Sequence, residues 1–538
     1  VISALQAVKQ RLRGPALDEP TQRYVEFNRG RWHQDWPVRD GAVVLAGMSP
    51  GKPLIHCYTY ALNHLARELG AEIESFSFLD RRDPALEKIY ESFGAPIGLS
   101  LEDARPFRGQ AREQADRIFA NLQTKWDVVR ISVDGVALGE LIYDTYLRHF
   151  ARATVDLRDE NLRTMIYDAL LIFHACRAYL ARKQPAAVIV DHLVYHYSGI
   201  LVRLATLARI PVLLTYYAPR FFLFQVNNAL SDPATQVPLR WPYWKYREIF
   251  AQLDPADRAA ALAKGREALQ NRLAGKADGV LRGQSAYAEG GPARLLAETG
   301  RPRVLVLLHD FCDAVHVFRE FLFPDFYEWI HFVLRHSEQT EFDWYVKPHP
   351  NNNERSRAAM NASNKAAVEK LQRTFPRVRF LDPSASNKQL VAEGISAMFT
   401  GRGTAGHEFA ALGVPVVNAG DNPHIDYPFN LHPATLDDFE QCIYKADRLE
   451  AAIDPRAIEE FFYMNYFHFH DRLGAAGRPF EPELASGPEA GKSEVFDRFI
   501  AGTTPERDEA MALYFQQFVG TIVPPQARRL LPATAPTT

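Results

Sequence analysis

Residues 346–430 constrain the fold more than any other stretch. Twice within them an apolar strand runs into a turn through which no helix can continue. The first strand, EFDWYV, ends in Lys-Pro-His-Pro at positions 347–350. Pro348 and Pro350 remove backbone donors, fix φ and hold the residues before them extended. Lys347 and His349 are thereby presented at the carboxyl end of a strand, where open α/β sheets bind ligands. The second piece is FTGRGTAGHEFAALGVPVVNAGDNPHIDYPFN. It predicts a strand at 396–399, a tight turn at 400–403, a helix at 404–412 and a new strand at 414–418. A Gly-rich turn opening a helix offers unpaired amides and a positive dipole end to an anion. Glu408 lies one helical turn from Thr404, on the same face. Taken singly, Lys-Pro-His-Pro also suits a surface turn, and strand–Gly turn–helix is common to α/β proteins. Together on neighbouring sheet elements they are more specific.

The same rhythm begins earlier. GAVVLA at 41–46 predicts a strand, followed by a Pro/Gly turn and a helix with Leu62, Leu65 and Leu69 on one face. Gly70 closes that helix, and a strand follows at 71–78. Strand–turn–helix–strand at this spacing starts a doubly wound parallel sheet. The turn at 49–52 lacks GxGxxG and GxxxxGK[ST], which excludes a dinucleotide or P-loop fingerprint. Residues 100–124 predict helix. Residues 128–150 predict a strand, a Gly-bounded bend and a helix carrying Glu140, Asp144 and Arg148 at i, i+4 and i+8. That stripe reads either as a solvated ion-pair ladder or as a site element, with Glu140 beside Gly139 at the helix start. After a long helix at 162–182, the strand AAVIV ends in Asp191-His192, with Tyr195 and His196 close behind. A carboxylate there is placed for nucleophilic or general-base work, or caps the following turn. A second sheet opens at 301, where VLVLL ends in His309-Asp310 and Asp313 follows.

These blocks divide the chain into a helical lead-in at 1–40, a Rossmann-like half at 41–295 and a second at 296–490. A helix returning to the first half is expected at 491–531, and a disordered tail at 532–538. The aromatics of 451–471 are expected in a core.

Composition narrows the function. A formal net charge of -3 over 538 residues supplies no basic field for nucleic acid. Four widely spaced cysteines form no CxxC, which argues against a disulfide framework or zinc site and suits a reducing cytoplasm. No apolar run approaches the roughly 20 residues needed to span a bilayer, and no secretory signal is expected. Peripheral attachment to the inner face of a membrane remains compatible with such a chain. No D-x-D triplet occurs, so a metal-independent reaction is expected.

His349-Pro350 and Arg402-Gly403-Thr404 with Glu408 resemble the carboxyl-terminal nucleotide-sugar domain of GT-B glycosyltransferases. The resemblance is to bacterial surface and capsular polysaccharide transferases that use CMP-activated acid sugars, in particular the retaining CMP-Kdo transferases. GELIYDTYLR (139–148) resembles a pattern of surface-carbohydrate biosynthesis proteins, and the block opening at 301 resembles the opening of the second domain in surface-polysaccharide transferases. The resemblance implies an α/β, GT-B fold of two facing Rossmann-like domains with a C-terminal crossing helix. It implies a nucleotide-sugar donor, best CMP-Kdo, a glycan or glycolipid acceptor, and no cofactor. Donor contacts are then expected from Lys347, His349, Pro350, Arg402, Gly403, Thr404, His407 and Glu408. Retention through a carboxylate adduct nominates Asp191 as nucleophile and Glu140 as acid/base, with Asp313 and Asp310 in reserve. His309 and His349 stand as candidate acids toward the leaving phosphate, and His192 and Asp310 as donor or acceptor contacts. Where that group carries Gly-x-Pro-Phe-Tyr-Ala-Gly-Trp-Gly, this chain has GDNPHIDYPFN, which brings His424 and Asp426 toward the donor sugar. Other readings on the same fold are a UDP-sugar transferase, a CDP-polyol phosphotransferase, a UDP-sugar 2-epimerase and a non-catalytic polysaccharide assembly protein.

Overall fold

The computed structural model describes residues 17–78, 83–217, 221–227, 242–276, 287, 290–291, 293–318, 320–349, 358–468 and 491–522. Two separate sheets organise them. The first comprises β1 (Ala42–Gly47), β2 (Glu72–Ser77), β3 (Ile97–Ser100), β4 (Gln184–Val190), β5 (Val212–Tyr217) and β6 (Phe221–Gln225). Its spatial order is β3-β2-β1-β4-β5-β6, parallel throughout except for the antiparallel edge strand β6. The second comprises β7 (Arg303–Leu307), β8 (Asp343–Lys347), β9 (Arg379–Phe380), β10 (Ala397–Thr400) and β11 (Val416–Asn418). It runs β9-β8-β7-β10-β11, all parallel. In both sheets the order reverses beside the first strand, which opens a crevice at the carboxyl ends. The central strands are apolar end to end because helices cover both faces. Val43, Val44, Leu45 and Ala46 are fully buried, as are Val304, Leu305 and Val306.

In the first half α1 (Glu19–Arg31) starts on the Asp18 side chain, and α2 (Lys52–Leu69) ends at Gly70 in the left-handed region, as expected. On the other face lie α3 (Gly139–His149), α4 (Glu160–Arg182) and α5 (His196–Leu207). The predicted strand at 128 is instead a helical turn, Lys125–Val129. The Thr124/Asp127 capping box satisfies its first amides and carries Val128 into the helix. Ser132–Val133 and Val136–Ala137 then form a small hairpin apart from the main sheet.

The helix α6 (Pro255–Leu273) was expected with the first half but packs on the second. Arg266 pairs with Glu459 through two nitrogens, and Gly265 meets the Glu459 carbonyl, where a Cβ would not fit. The second half adds α7 (Phe326–Ser337), α8 (Ala405–Ala411) and α9 (Pro455–Tyr463). Phe461 and Phe462 of α9 are fully buried. The returning element is two helices, α10 (Val495–Gly502) and α11 (Pro505–Thr521). Thr504 caps the second, and Pro505 begins it. Both pack on α1 and α2 of the first half, so the chain is α/β with the GT-B arrangement of two Rossmann-like halves and a C-terminal crossing segment. The expected tail at 532–538 lies outside the described residues.

The halves face each other through α3 and the loops at the carboxyl ends of the sheets. Tyr143 donates to Asp325 at 2.5 Å, and Asp144 accepts from the His316 amide at 3.0 Å and meets its Nδ1 at 2.7 Å. Arg148 pairs with Asp313 at 3.2 Å. Among the described residues no helix is long and apolar enough to cross a membrane.

Candidate functional site

The carboxyl ends of β7, β8 and β10 are adjacent in the second sheet, and they bring His309, Lys347 and the 401–404 turn together. Lys347 is the last residue of β8 and is almost fully buried. Its Nζ donates to Asn387 Oδ1 at 2.7 Å. Burial lowers its pKa to about 8, while the Glu408 and Asp382 carboxylates pull it back up. His309 Nε2 accepts from the Arg402 amide at 2.9 Å and meets Thr400 Oγ1 at 3.2 Å. An amide can only donate, so the ring hydrogen of neutral His309 sits on Nδ1. The ring stacks on Phe326 at 4.3 Å. Burial, reinforced by His349 and Arg402, lowers its pKa to about 3. His309 therefore braces the turn as a neutral acceptor. Gly401 lets the turn come this close, because a Cβ there would press on His309 and Phe326 at 3.1 Å.

Arg402 is 6% exposed. Its Nη2 donates to the Glu320 carbonyl at 2.7 Å, and the guanidinium lies 4.7 Å over the Phe321 ring. Its Nε and Nη1 are buried with no acceptor among the described residues. Burial lowers its pKa to about 10, opposed by Tyr243 and the carboxylates of Asp421, Asp144 and Glu140. Arg402 thus faces the junction with the first half. Gly403 and His349 are partly open to solvent and Thr404 is exposed, so the buried cations lie under an accessible turn. Pro350 lies outside the described residues.

The remaining predicted contacts form a layer behind the turn. The helix α8 begins after Thr404, and Glu408 turns inward, 3% exposed, while Thr404 faces out. Glu408 accepts from Tyr287 at 2.5 Å and meets Arg272 Nη1 of α6 at 3.4 Å. His407 Nε2 faces Tyr466 at 3.2 Å and Arg272 at 3.4 Å. His424 Nδ1 pairs with Asn430 at 3.1 Å, and its Nε2 lies against Gly406, too close to admit a Cβ. Burial pushes both histidines well below their usual range. Glu408, His407 and His424 so form a wall that fixes α8.

In the first half Asp191 follows β4, half-buried, close enough to Tyr58, Tyr90 and Tyr197 to act on their charge. His192 beside it is exposed. The expected stripe on α3 is not self-paired, and of its three residues Asp144 is buried, Glu140 half-buried and Arg148 exposed. Glu140 pairs with Arg203 at 2.5 Å, Asp144 with His316 and Arg148 with Asp313. Asp310 is buried and accepts from Asn364 at 2.8 Å and the Cys312 amide at 3.0 Å, which shapes the loop after β7. Asp313 also receives the Tyr195 hydroxyl at 3.3 Å. Sequence reasoning missed Asn387, Arg272, Tyr287 and Tyr466. Their only signal is a polar residue at a helix start or in a polar or aromatic run.

The arrangement can hold an anion between halves. Two buried cations under an open Gly turn stabilise negative charge that develops there. Asp191 supplies a half-buried carboxylate from the opposite half. The sequence matches no protein-family model and no curated protein. Solved structures similar to it include the following three. UDP-GlcNAc 2-epimerase from Neisseria meningitidis, bound to UDP-GlcNAc, is 11% identical, with 79% of this chain and 98% of that one covered and a TM-score of 0.22. The Methanocaldococcus jannaschii UDP-GlcNAc 2-epimerase, with UDP-GlcNAc and UDP, is 9% identical over 78% and 97%, with a TM-score of 0.23. Medicago truncatula UGT71G1, complexed with UDP-glucose, is 9% identical over 86% and 98%, with a TM-score of 0.15. Likenesses this remote leave the chemistry to this chain's own residues.

Proposed function

We propose that the chain is a glycosyltransferase that holds a nucleotide-activated sugar in its second half and transfers the sugar to a glycan or glycolipid presented by the first. The observation that carries this reading is the Arg402 guanidinium, buried with Nε and Nη1 unfilled beneath the open 403–404 turn. Burying a cation without its full set of acceptors costs several kcal/mol. A phosphate placed there supplies acceptors to a buried cation that lacks them, in charge-assisted hydrogen bonds. Lys347, charged below about pH 8, adds a second cation two strands away. CMP-Kdo is the donor nominated by the Lys-Pro-His-Pro and Gly-turn motifs.

In the retaining route an Asp191 oxygen bonds to the anomeric carbon as the bond from that carbon to the phosphate oxygen breaks. The electron pair leaves on the phosphate, facing Arg402 and Lys347. The acceptor hydroxyl then displaces Asp191, and its proton passes to a base, the role assigned to Glu140.

Calorimetric titration with CMP and with UDP tests the reading. CMP is expected to bind, and Arg402→Ala to abolish binding without unfolding the chain. Failure of both nucleotides to bind would refute it. Turnover of a UDP-sugar without any acceptor would replace it with epimerisation.

A further inference from the structure

The first half contains a cavity of about 370 Å³ at the carboxyl ends of β2, β3 and β4. One wall is apolar, built by Phe78 after β2, Leu101 after β3, and Met165 and Leu171 of α4. The lining also carries polar and charged groups: Arg108, Arg148, His149, His196 and Asp168. The helix α5 opens at this lining. Its first-turn amides have no intrahelical acceptors and give that end a positive dipole.

A second observation is independent of the helix end. His196, the first residue of α5, lines the cavity and is 8% exposed, and its buried Nδ1 has no partner among the described residues. Its backbone amide is already spent on Thr145 Oγ1 at 3.0 Å, so the ring position is fixed. Burial keeps the imidazole neutral, with its pKa lowered to about 3.

The residue before it is strained. Tyr195 has φ 66° and ψ 150°, a region that side-chain-bearing residues rarely occupy, at a cost of about 1–3 kcal/mol. The strained backbone turns the ring into the cavity wall and lets the hydroxyl reach Asp313 of the second half at 3.3 Å. Arg148 stacks over the same ring at 5.3 Å and pairs with the same carboxylate at 3.2 Å. The cavity mouth is thus built from groups that latch the two halves together.

We propose that this cavity is a ligand site for a small anion with an apolar body, a phosphate or carboxylate carried on an aryl, acyl or prenyl group. The anionic group lies against His196, Arg148 and the positive end of the α5 dipole, and the apolar body against Phe78, Met165 and Leu171. Identifying this ligand as the sugar acceptor rests on the transferase reading above; the binding site itself does not.

The test uses the full chain with phenyl phosphate, inorganic phosphate and phenol as probes, followed by calorimetry and by thermal shift. Phenyl phosphate is expected to bind at least fivefold more tightly than either fragment. Arg108→Ala, at an exposed position, and His196→Gln, close in size, are each expected to weaken it at least fivefold while leaving CMP affinity unchanged. Lack of phenyl phosphate binding at 10 mM (~10 mM being a weak-site ceiling) would overturn the proposal. So would binding that both variants leave intact. If phenyl phosphate behaves as expected and CMP does not bind, the cavity stands and the nucleotide reading falls.

Discussion

Raising the pH separates a phosphate-binding Lys347 from a structural one. Its Nζ has one described acceptor, the neutral Asn387 oxygen, and its pKa is lowered from 10.5 to about 8 by burial. The protonated fraction then falls from about nine-tenths at pH 7 to about one-tenth at pH 9. A nucleotide phosphate is fully ionised throughout that window, because its second pKa is about 6. CMP affinity should therefore fall about tenfold between pH 7 and pH 9, or roughly 1.4 kcal/mol. Stability moves the other way. The folded pKa lies below the unfolded one, so between about pH 8 and pH 10.5 the unfolded chain binds more protons. Lys347 then adds up to about 1.4 kcal/mol of stability per pH unit as the pH rises. Lys347→Met should weaken CMP binding tenfold or more, the worth of about 1.5–3 kcal/mol for a charge-assisted hydrogen bond. It should also flatten both pH slopes. Calorimetric titration at pH 7, 8 and 9, with urea unfolding of the unliganded protein alongside, measures all four quantities. A wild-type affinity that does not change across the window, or a Lys347→Met variant with the wild-type slope, refutes the assignment.

Glu408→Gln removes the carboxylate that the buried Arg272 cation meets at 3.4 Å and should cost about 3 kcal/mol in urea unfolding, since breaking a buried pair is worse than lacking one. Acid should destabilise the fold through His56, His196 and His309, whose pKa values burial lowers to about 3. Their stability is complete above the unfolded value of about 6.5 and is lost as pH falls toward 3, together about 4 kcal/mol between pH 7.5 and 5.5; urea midpoints at those two pH values check this. Asp191→Asn should abolish sugar transfer while leaving the CMP titration unchanged, and near-normal turnover would remove Asp191 from the reaction.

What the sequence makes legible is local. The ends of β7 and β8 show as apolar runs stopped by His-Asp and by Lys-Pro, and the structure places His309 and Lys347 at those ends. Gly70 marks the end of α2 because its left-handed backbone penalises other residues. What is not legible is pairing across the chain. Spacing on α3 shows that Glu140, Asp144 and Arg148 share a stripe, but not that the stripe meets Arg203, His316 and Asp313. The i, i+4 rule ranks only local partners, and the tertiary ones are closer. Glu408 shows the same limit. Its helical position is readable, yet Arg272 stands 136 residues away and turns it inward. The helix α6 was assigned by chain position to the wrong half for the same reason.

The helices that close the first half come from the far end of the chain. Phe496 stacks on Tyr24 at 4.3 Å, Phe499 stacks on His56 at 4.4 Å, and Asp497 grips Arg23. During synthesis, therefore, the earliest sheet emerges with one greasy flank bare, and it waits for the whole second half to be made before that flank is sealed. A ribosome stalled near residue 480 would hold a domain whose α2 has no outer cover. Proteolytic clipping ahead of α10 would strip a finished molecule to the same condition, so aggregation rather than a clean loss of activity is the failure that damage at this end should produce.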